Sequence, residues 1–140
     1  MGFFTLELAR RVGASGRVVA VDIQPKMIEG LKRRAARAGL LKRVDARLVQ
    51  PNTMGLDGLE GAVDFVLAFA VVHELPDAGA FFAGAARTMK PDANVLLAEP
   101  AGQVNAEEFD AELKMAAAAS LAVADRPSIR RSHAAVLKKV

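Results

Sequence analysis

Asp64-Phe65-Val66-Leu67-Ala68-Phe69-Ala70 is the stretch on which the fold turns. Beyond its first residue it is apolar without a break, and Gly61 and Pro76 bound it. A strand with one wet face alternates apolar and polar residues, whereas a continuous apolar run is the pattern of a parallel strand covered on both faces. Downstream, Asp77 is placed to cap a helix running to about Met89. That helix turns Phe81, Phe82, Ala85 and Met89 inward and is stopped by Pro91. Asn94 to Glu99 is a second apolar run, closed by Pro100. Strand, helix and strand in that order make a parallel crossover unit.

The same alternation extends in both directions. Phe4 to Val12 reads as a helix with Phe4, Leu8 and Val12 on one face and Gly13 beyond its end. Gly16 turns the chain into the β-branched run Arg17 to Val21, which ends at Asp22. Pro25 suits a first helical turn, and the helix runs to about Ala38, with Gly39 at the left-handed position after it. Its inward face is Met27, Ile28, Leu31 and Ala35. Ala46 to Gln50 reads as a further strand, followed by a glycine-rich loop through Gly61. Beyond Glu99, Asn105 and Glu108 form a capping-box pattern that opens a helix to about Ser120. Leu121 to Asp125 and His133 to Leu137 are closing strands joined through Pro127. The expectation is a single α/β domain over residues 1–140, doubly wound around a mostly parallel sheet. In such sheets the functional crevice lies outside the carboxyl ends of the strands. That directs attention to Asp22, Gln50 to Asn52, Phe69 to Glu74 and Glu99 to Gly102.

Composition narrows the class. Hydrophobic residues make up 52% of the 140, which fits strands buried on both faces. No apolar stretch reaches the ~18 residues of a membrane span, because Asp, Glu or Pro interrupts each one. The N-terminus lacks the basic region and cleavage site of a signal peptide. With no cysteine there is no disulfide or thiolate metal site, and the expected compartment is the cytoplasm. The net charge is +3, densest at Lys32, Arg33, Arg34, Arg37, Lys42 and Arg43. Four of these share a helix with the apolar face above, so a solvated outer face explains them better than a nucleic-acid site. Without Trp or Tyr, there are no interleaved aromatics to stack bases.

Four motifs resemble the class I S-adenosylmethionine-dependent methyltransferase family. Gly2-Phe3-Phe4-Thr5 resembles the last glycine of its glycine-rich loop and the start of its first helix. Val18-Val19-Ala20-Val21-Asp22-Ile23-Gln24-Pro25-Lys26-Met27 resembles its second strand, acidic strand end and next helix. Asp64-Phe65-Val66-Leu67 resembles its fourth strand, and Met89-Lys90-Pro91-Asp92-Ala93 the loop that often reads Leu-Lys-Pro-Gly-Gly. The tail is similar to its closing antiparallel hairpin. The likeness runs in order through the 140 residues and is nearest the ubiquinone/menaquinone-methylase type.

The resemblance implies S-adenosylmethionine as cofactor and a small-molecule methyl acceptor, with no membrane partner. It assigns Gly2, Asp22, Met27, Asn52 and Phe69 to the cofactor. Asp22 would accept from the ribose hydroxyls, or else cap the next turn. Met27 would lie on the adenine, or else in the core. Asn52 stands where an Asp often reads the adenine amino group. In the stretch after the fourth strand, His73 is the candidate general base, or else a histidine satisfied within its loop. Glu74 and Glu99 are candidates for the acceptor pocket, Glu99 otherwise being a strand-end carboxylate in solvent. His133 is expected to be structural, and no metal site is implied.

The family motif begins with a strand, an acidic residue and Gly-x-Gly-x-Gly, of which only the final glycine, Gly2, is present. The expectation is therefore a sheet lacking its first strand, with methyl transfer impaired. Two apolar strand edges would be left without partners, which points to a homodimer. Two other readings compete: a nicotinamide-dependent oxidoreductase, which also ends a strand on an acidic ribose ligand, and a non-catalytic remnant serving as an interaction module.

Overall fold

The computed structural model describes residues 3–50 and 55–140, and the chain divides into two compact units, Met1–Gly55 and Leu56–Val140. In the first, helix α1 (Phe3–Arg11) leads into strand β1 (Val18–Asp22), helix α2 (Pro25–Arg37) and strand β2 (Val44–Leu48). Strands β1 and β2 pair in parallel, with Val18 opposite Val44 and Asp22 opposite Leu48. Pro25 opens α2 in its first turn. Gly39, at φ +72°, closes it, as Gly39 N–H donates to Ala36 O and Leu40 N–H to Ala35 O. Ile28, Leu31 and Ala35 are buried as the periodicity predicts, while Lys32, Arg33, Arg34 and Arg37 are exposed.

Two expectations for this unit need correction. Phe4 and Val12 are exposed and Leu8 is half-buried, and α1 buries Ala9 instead, the residue small enough for close approach. The second strand starts at Val44 rather than Ala46, because a single 3-10 turn over Leu41–Arg43 brings the chain to the sheet early.

The second unit carries strand β3 (Val63–Phe69), helix α3 (Ala78–Thr88), strand β4 (Met89–Pro100), helix α4 (Ala106–Ala118), and strands β5 (Leu121–Asp125) and β6 (Ser132–Lys139). Its sheet runs in the order β3-β4-β6-β5. Strands β3 and β4 are parallel, and β6 is antiparallel to both β4 and β5. Asp77 caps α3 by accepting from Ala80 N–H at 3.0 Å, and Asn105 and Glu108 form the reciprocal capping box of α4. Phe82, Met89, Val95, Leu97, Phe109, Leu121 and Leu137 are fully buried, each stabilising the fold by about 1.5–3 kcal/mol.

Met89 is buried as expected, but as the first residue of β4 and not in the helix. Pro91 accordingly lies within that strand, where the β3–β4 register shifts after Val63 and Met89. Proline has no N–H for a ladder, so it belongs at such an irregularity. The run that decided the fold is less covered than its composition implies: in β3 only Ala68 is buried and Phe65 is 44% exposed. Among the described residues β3 pairs only with β4, and β1 only with β2, so each sheet ends on an open parallel edge.

Asp92, where the family favours glycine, has φ +66° and an ion pair with Lys138 at 3.4 Å. Asp92→Gly should raise stability by about 0.5 kcal/mol, since a left-handed backbone penalises a Cβ more than glycine's extra chain entropy offsets. A urea midpoint unchanged or lowered would show that the ion pair outweighs the backbone relief.

Candidate active site

The site begins with a change of backbone direction. Strand β3 stops at Phe69 rather than Ala70, because Ala70 takes φ +58° while its N–H donates to Ala98 O of β4 at 2.8 Å. A residue held in the left-handed region without being glycine is strained, and the neighbouring ladder holds it there. The chain then forms one 3-10 turn, Val72–Glu74, anchored by buried Val72.

This turn brings His73 against Glu99, the next-to-last residue of β4. Glu99 Oε2 accepts the His73 backbone N–H at 2.9 Å and lies 3.1 Å from ring Nδ1. Glu99 is fully buried, so its oxygens depend on protein partners. An acceptor oxygen bonds Nδ1 only when Nδ1 carries the proton, and in the neutral ring that tautomer leaves the lone pair on Nε2.

Helix α4 adds the residue that the sequence reading missed. Phe109, Glu112, Leu113 and Ala116 form its buried face, and Glu112 is only 7% exposed. Counted as two ionised carboxylates, Glu99 Oε1 and Glu112 Oε1 are both buried without a partner. A proton on one of them makes the two side chains partners of each other. Burial pushes the Glu112 carboxyl up to about 8, and the hydrogen bond to Glu99 and the charges of Glu99 and Glu108 act in the same direction. A cleft of about 500 Å³ opens here, lined among others by Val72, His73, Pro76, Val104, Glu112 and Met115.

The structure therefore brings His73 and Glu99 together, and Glu99 is a buried partner, not a solvent-facing strand end. Glu74 stays at the rim, its side chain 70% exposed and 3.8 Å from His73 Nε2. Asp22 ends β1, and its Oδ1 caps the following turn by accepting Gln24 N–H at 2.8 Å. Met27 is 37% exposed, which overturns its expected place in the core of α2. Phe69 is half-buried at the end of β3. Gly2 and Asn52 lie outside the described residues. His133 stacks on Phe109, centroids 5.6 Å apart.

A four-stranded α/β sheet with a closing antiparallel hairpin and a polar group at its strand ends defines the class: a Rossmann-like fold of the methyltransferase type. A family model described as a methyltransferase domain matches residues 1–92. The chain belongs to that methyltransferase-domain family. It is 29% identical over 104 residues to a demethylmenaquinone methyltransferase of Lactobacillus johnsonii, covering 74% of this chain but 42% of that protein. Among solved structures, a SAM-dependent methyltransferase from Aquifex aeolicus superposes with a TM-score of 0.85 at 23% identity, covering 99% of this chain and 77% of that one. Geranyl diphosphate C-methyltransferase from Streptomyces coelicolor A3(2), solved with S-adenosyl-L-homocysteine, gives 0.78 at 13% identity, covering 99% and 67%. No helix among the described residues is long and apolar enough to cross a membrane.

Glu112 makes stability depend on pH. Its folded-state value of about 8 lies above the ordinary 4.5, so its contribution is complete below 4.5 and disappears as pH rises through about 8. Unfolding free energy from urea titrations should fall across that window, by up to ~1.4 kcal/mol per pH unit. Glu112→Gln should flatten the fall; an unchanged slope would assign it to another group.

Proposed function

We propose that this chain takes part in S-adenosylmethionine-dependent methyl transfer to a small-molecule acceptor bound in the cleft beside His73. The observation that carries the reading is the His73–Glu99 pair at the carboxyl ends of β3 and β4, in a chain of the methyltransferase-domain family. When bound, S-adenosylmethionine supplies a methyl group on a positively charged sulfur. The residues of this chain fit that group. Asp22 ends an apolar strand with an acceptor-only carboxylate; Oδ1 holds the turn, and Oδ2 is assigned to the ribose hydroxyls. Met27 offers an exposed apolar side chain for the adenine face, and Phe69 lies at the end of β3. Gly2 and Asn52 keep the roles that the resemblance gives them, at the glycine loop and the adenine amino group.

His73 is the proposed general base. Nε2 takes the proton that the acceptor loses, and Glu99 steadies the resulting imidazolium through Nδ1–H. Glu74 stands at the rim as the lesser substrate contact. Alignment of the acceptor by the apolar cleft wall does the rest, since an in-line displacement needs positioning more than further chemistry. Residues 1–140 are read as one domain, supported by a family match that runs through the division between the two units. The open edges of β1 and β3 support self-association as a homodimer, and a cytoplasmic setting is proposed with it. The basic residues on α2 are read as a solvated face, with no nucleic-acid partner. Neither the family match nor the relatives support the nicotinamide reading.

In an active protein carrying this chain, Asp22→Ala should weaken S-adenosylhomocysteine binding by about 1.5–3 kcal/mol, roughly ten- to a hundredfold, with turnover at saturation little changed. His73→Ala should leave that binding intact and lower kcat by about 10²-fold or more. Calorimetry and steady-state kinetics check both. Binding of NADH in place of S-adenosylhomocysteine would overturn the assignment, and binding of neither would favour a non-catalytic module.

A further inference from the structure

The methyl-transfer reading uses His73 and its partner Glu99 but leaves Glu112 unexplained. Glu112 lies on the buried face of α4, between Phe109 and Leu113, where an apolar residue would satisfy the packing. Instead a carboxyl stands there, more than nine-tenths buried, with an oxygen that has no partner unless it meets Glu99. Glu99 has the matching need: Oε2 is taken by His73, and Oε1 is buried and unpartnered. The side-chain hydrogen bond between Glu112 and Glu99 places the two orphaned acceptors together, and a single proton satisfies both. A metal ion is the other common answer to paired buried carboxylates, but no group of three His, Asp or Glu residues suited to hold one occurs among the described residues.

We propose that Glu99 and Glu112 share one buried proton, and that Glu112 is a positioning residue which holds Glu99, and through it the ring of His73, for proton abstraction. The proposal rests on the reading of His73 as general base. The order is Glu112 O–H to Glu99 Oε1, Glu99 Oε2 to His73 Nδ1–H, and His73 Nε2 toward the cleft ligand. Were S-adenosylmethionine bound, the X–methyl bond would form as the methyl–sulfur bond breaks with its electron pair kept by sulfur, the X–H electron pair would stay on X, and the proton would pass to His73 Nε2. The imidazolium so formed faces a pair of carboxyls bearing one negative charge between them. Nothing leaves the pair, and the charge on His73 is balanced where it forms. The raised protonation range of Glu112 is consistent with this arrangement, set by Glu99 on β4, Glu108 on its own helix and burial. His73 is the titratable group facing the pair from the turn after β3.

Two measurements test it, one of them independent of activity. Infrared spectra of the 140-residue chain near pH 6 should contain the C=O stretch of a protonated carboxyl. That band should be lost in Glu112→Gln and should fade in the wild type as pH rises through about 8. Identical spectra for wild type and Glu112→Gln overturn the shared proton, whether or not the chain methylates anything. The second measurement is nitrogen-15 NMR of the His73 ring, with kinetics in an active protein carrying this chain. Glu112→Gln can still donate an N–H to Glu99 and should keep the Nδ1–H tautomer and a higher kcat than Glu112→Leu. Glu112→Leu should mix the tautomers and lower kcat about tenfold at unchanged KM, a share of the roughly 10²–10⁴ that a general base contributes. An unaltered tautomer and kcat in Glu112→Leu overturn the positioning role.

Discussion

One carboxylate oxygen organises the candidate site. Glu99 Oε2 accepts the backbone N–H of His73 and lies 3.1 Å from its ring Nδ1, from a position with no access to water. A buried carboxylate without such partners is penalised by several kcal/mol, so the surrounding structure is constrained to deliver them. The left-handed turn at Ala70, the anchor at Val72 and the single helical turn after it all serve to bring the backbone N–H and the ring Nδ1 of one residue to one oxygen. Strand β4 is the right support for that oxygen. Flanked by β3 and β6, it is paired on both sides.

Much of this framework was legible because its signals are local. Asp77, Asn105 and Gly39 mark helix ends through bonds made within a few residues and Pro25 through its fixed φ, and each acts as read. What failed was non-local. A continuous apolar run signals a strand, but only pairing decides how much of it is covered, and Phe65 on β3 remains exposed. The helix before Pro91 ends at Thr88, one residue short of the expected Met89, since the sheet claims Met89 for its ladder.

The site shows the same division. His73 and Glu99 could be named separately as strand-end residues, yet nothing in the sequence ties residues 26 positions apart. Their meeting follows from register: Phe69 lies opposite Ala98, so whatever follows Phe69 turns over the residue after Ala98. Glu112 did leave a trace. A glutamate sits in the stripe Phe109, Glu112, Leu113, Ala116, whose spacing marks the buried side of α4. A charged residue type in an apolar stripe is the informative exception, because carboxylates are almost never buried without a partner.

The strand order of the second unit also governs how that unit can be assembled. Strand β6 is the last of its strands in sequence, yet it lies between β4 and β5. Strand β5 pairs only with β6 among the described residues, so after synthesis it waits with no ladder at all. Until Ser132–Lys139 emerge, β4 carries an unpaired apolar edge, and the end of that strand, Glu99 included, lacks its neighbour at His133. A chain growing from its N-terminus must therefore hold this sheet open while the helix between is made. Strand β6 acts as a keystone: the turn that carries His73 gains a fixed support only once Ser132–Lys139 have been made.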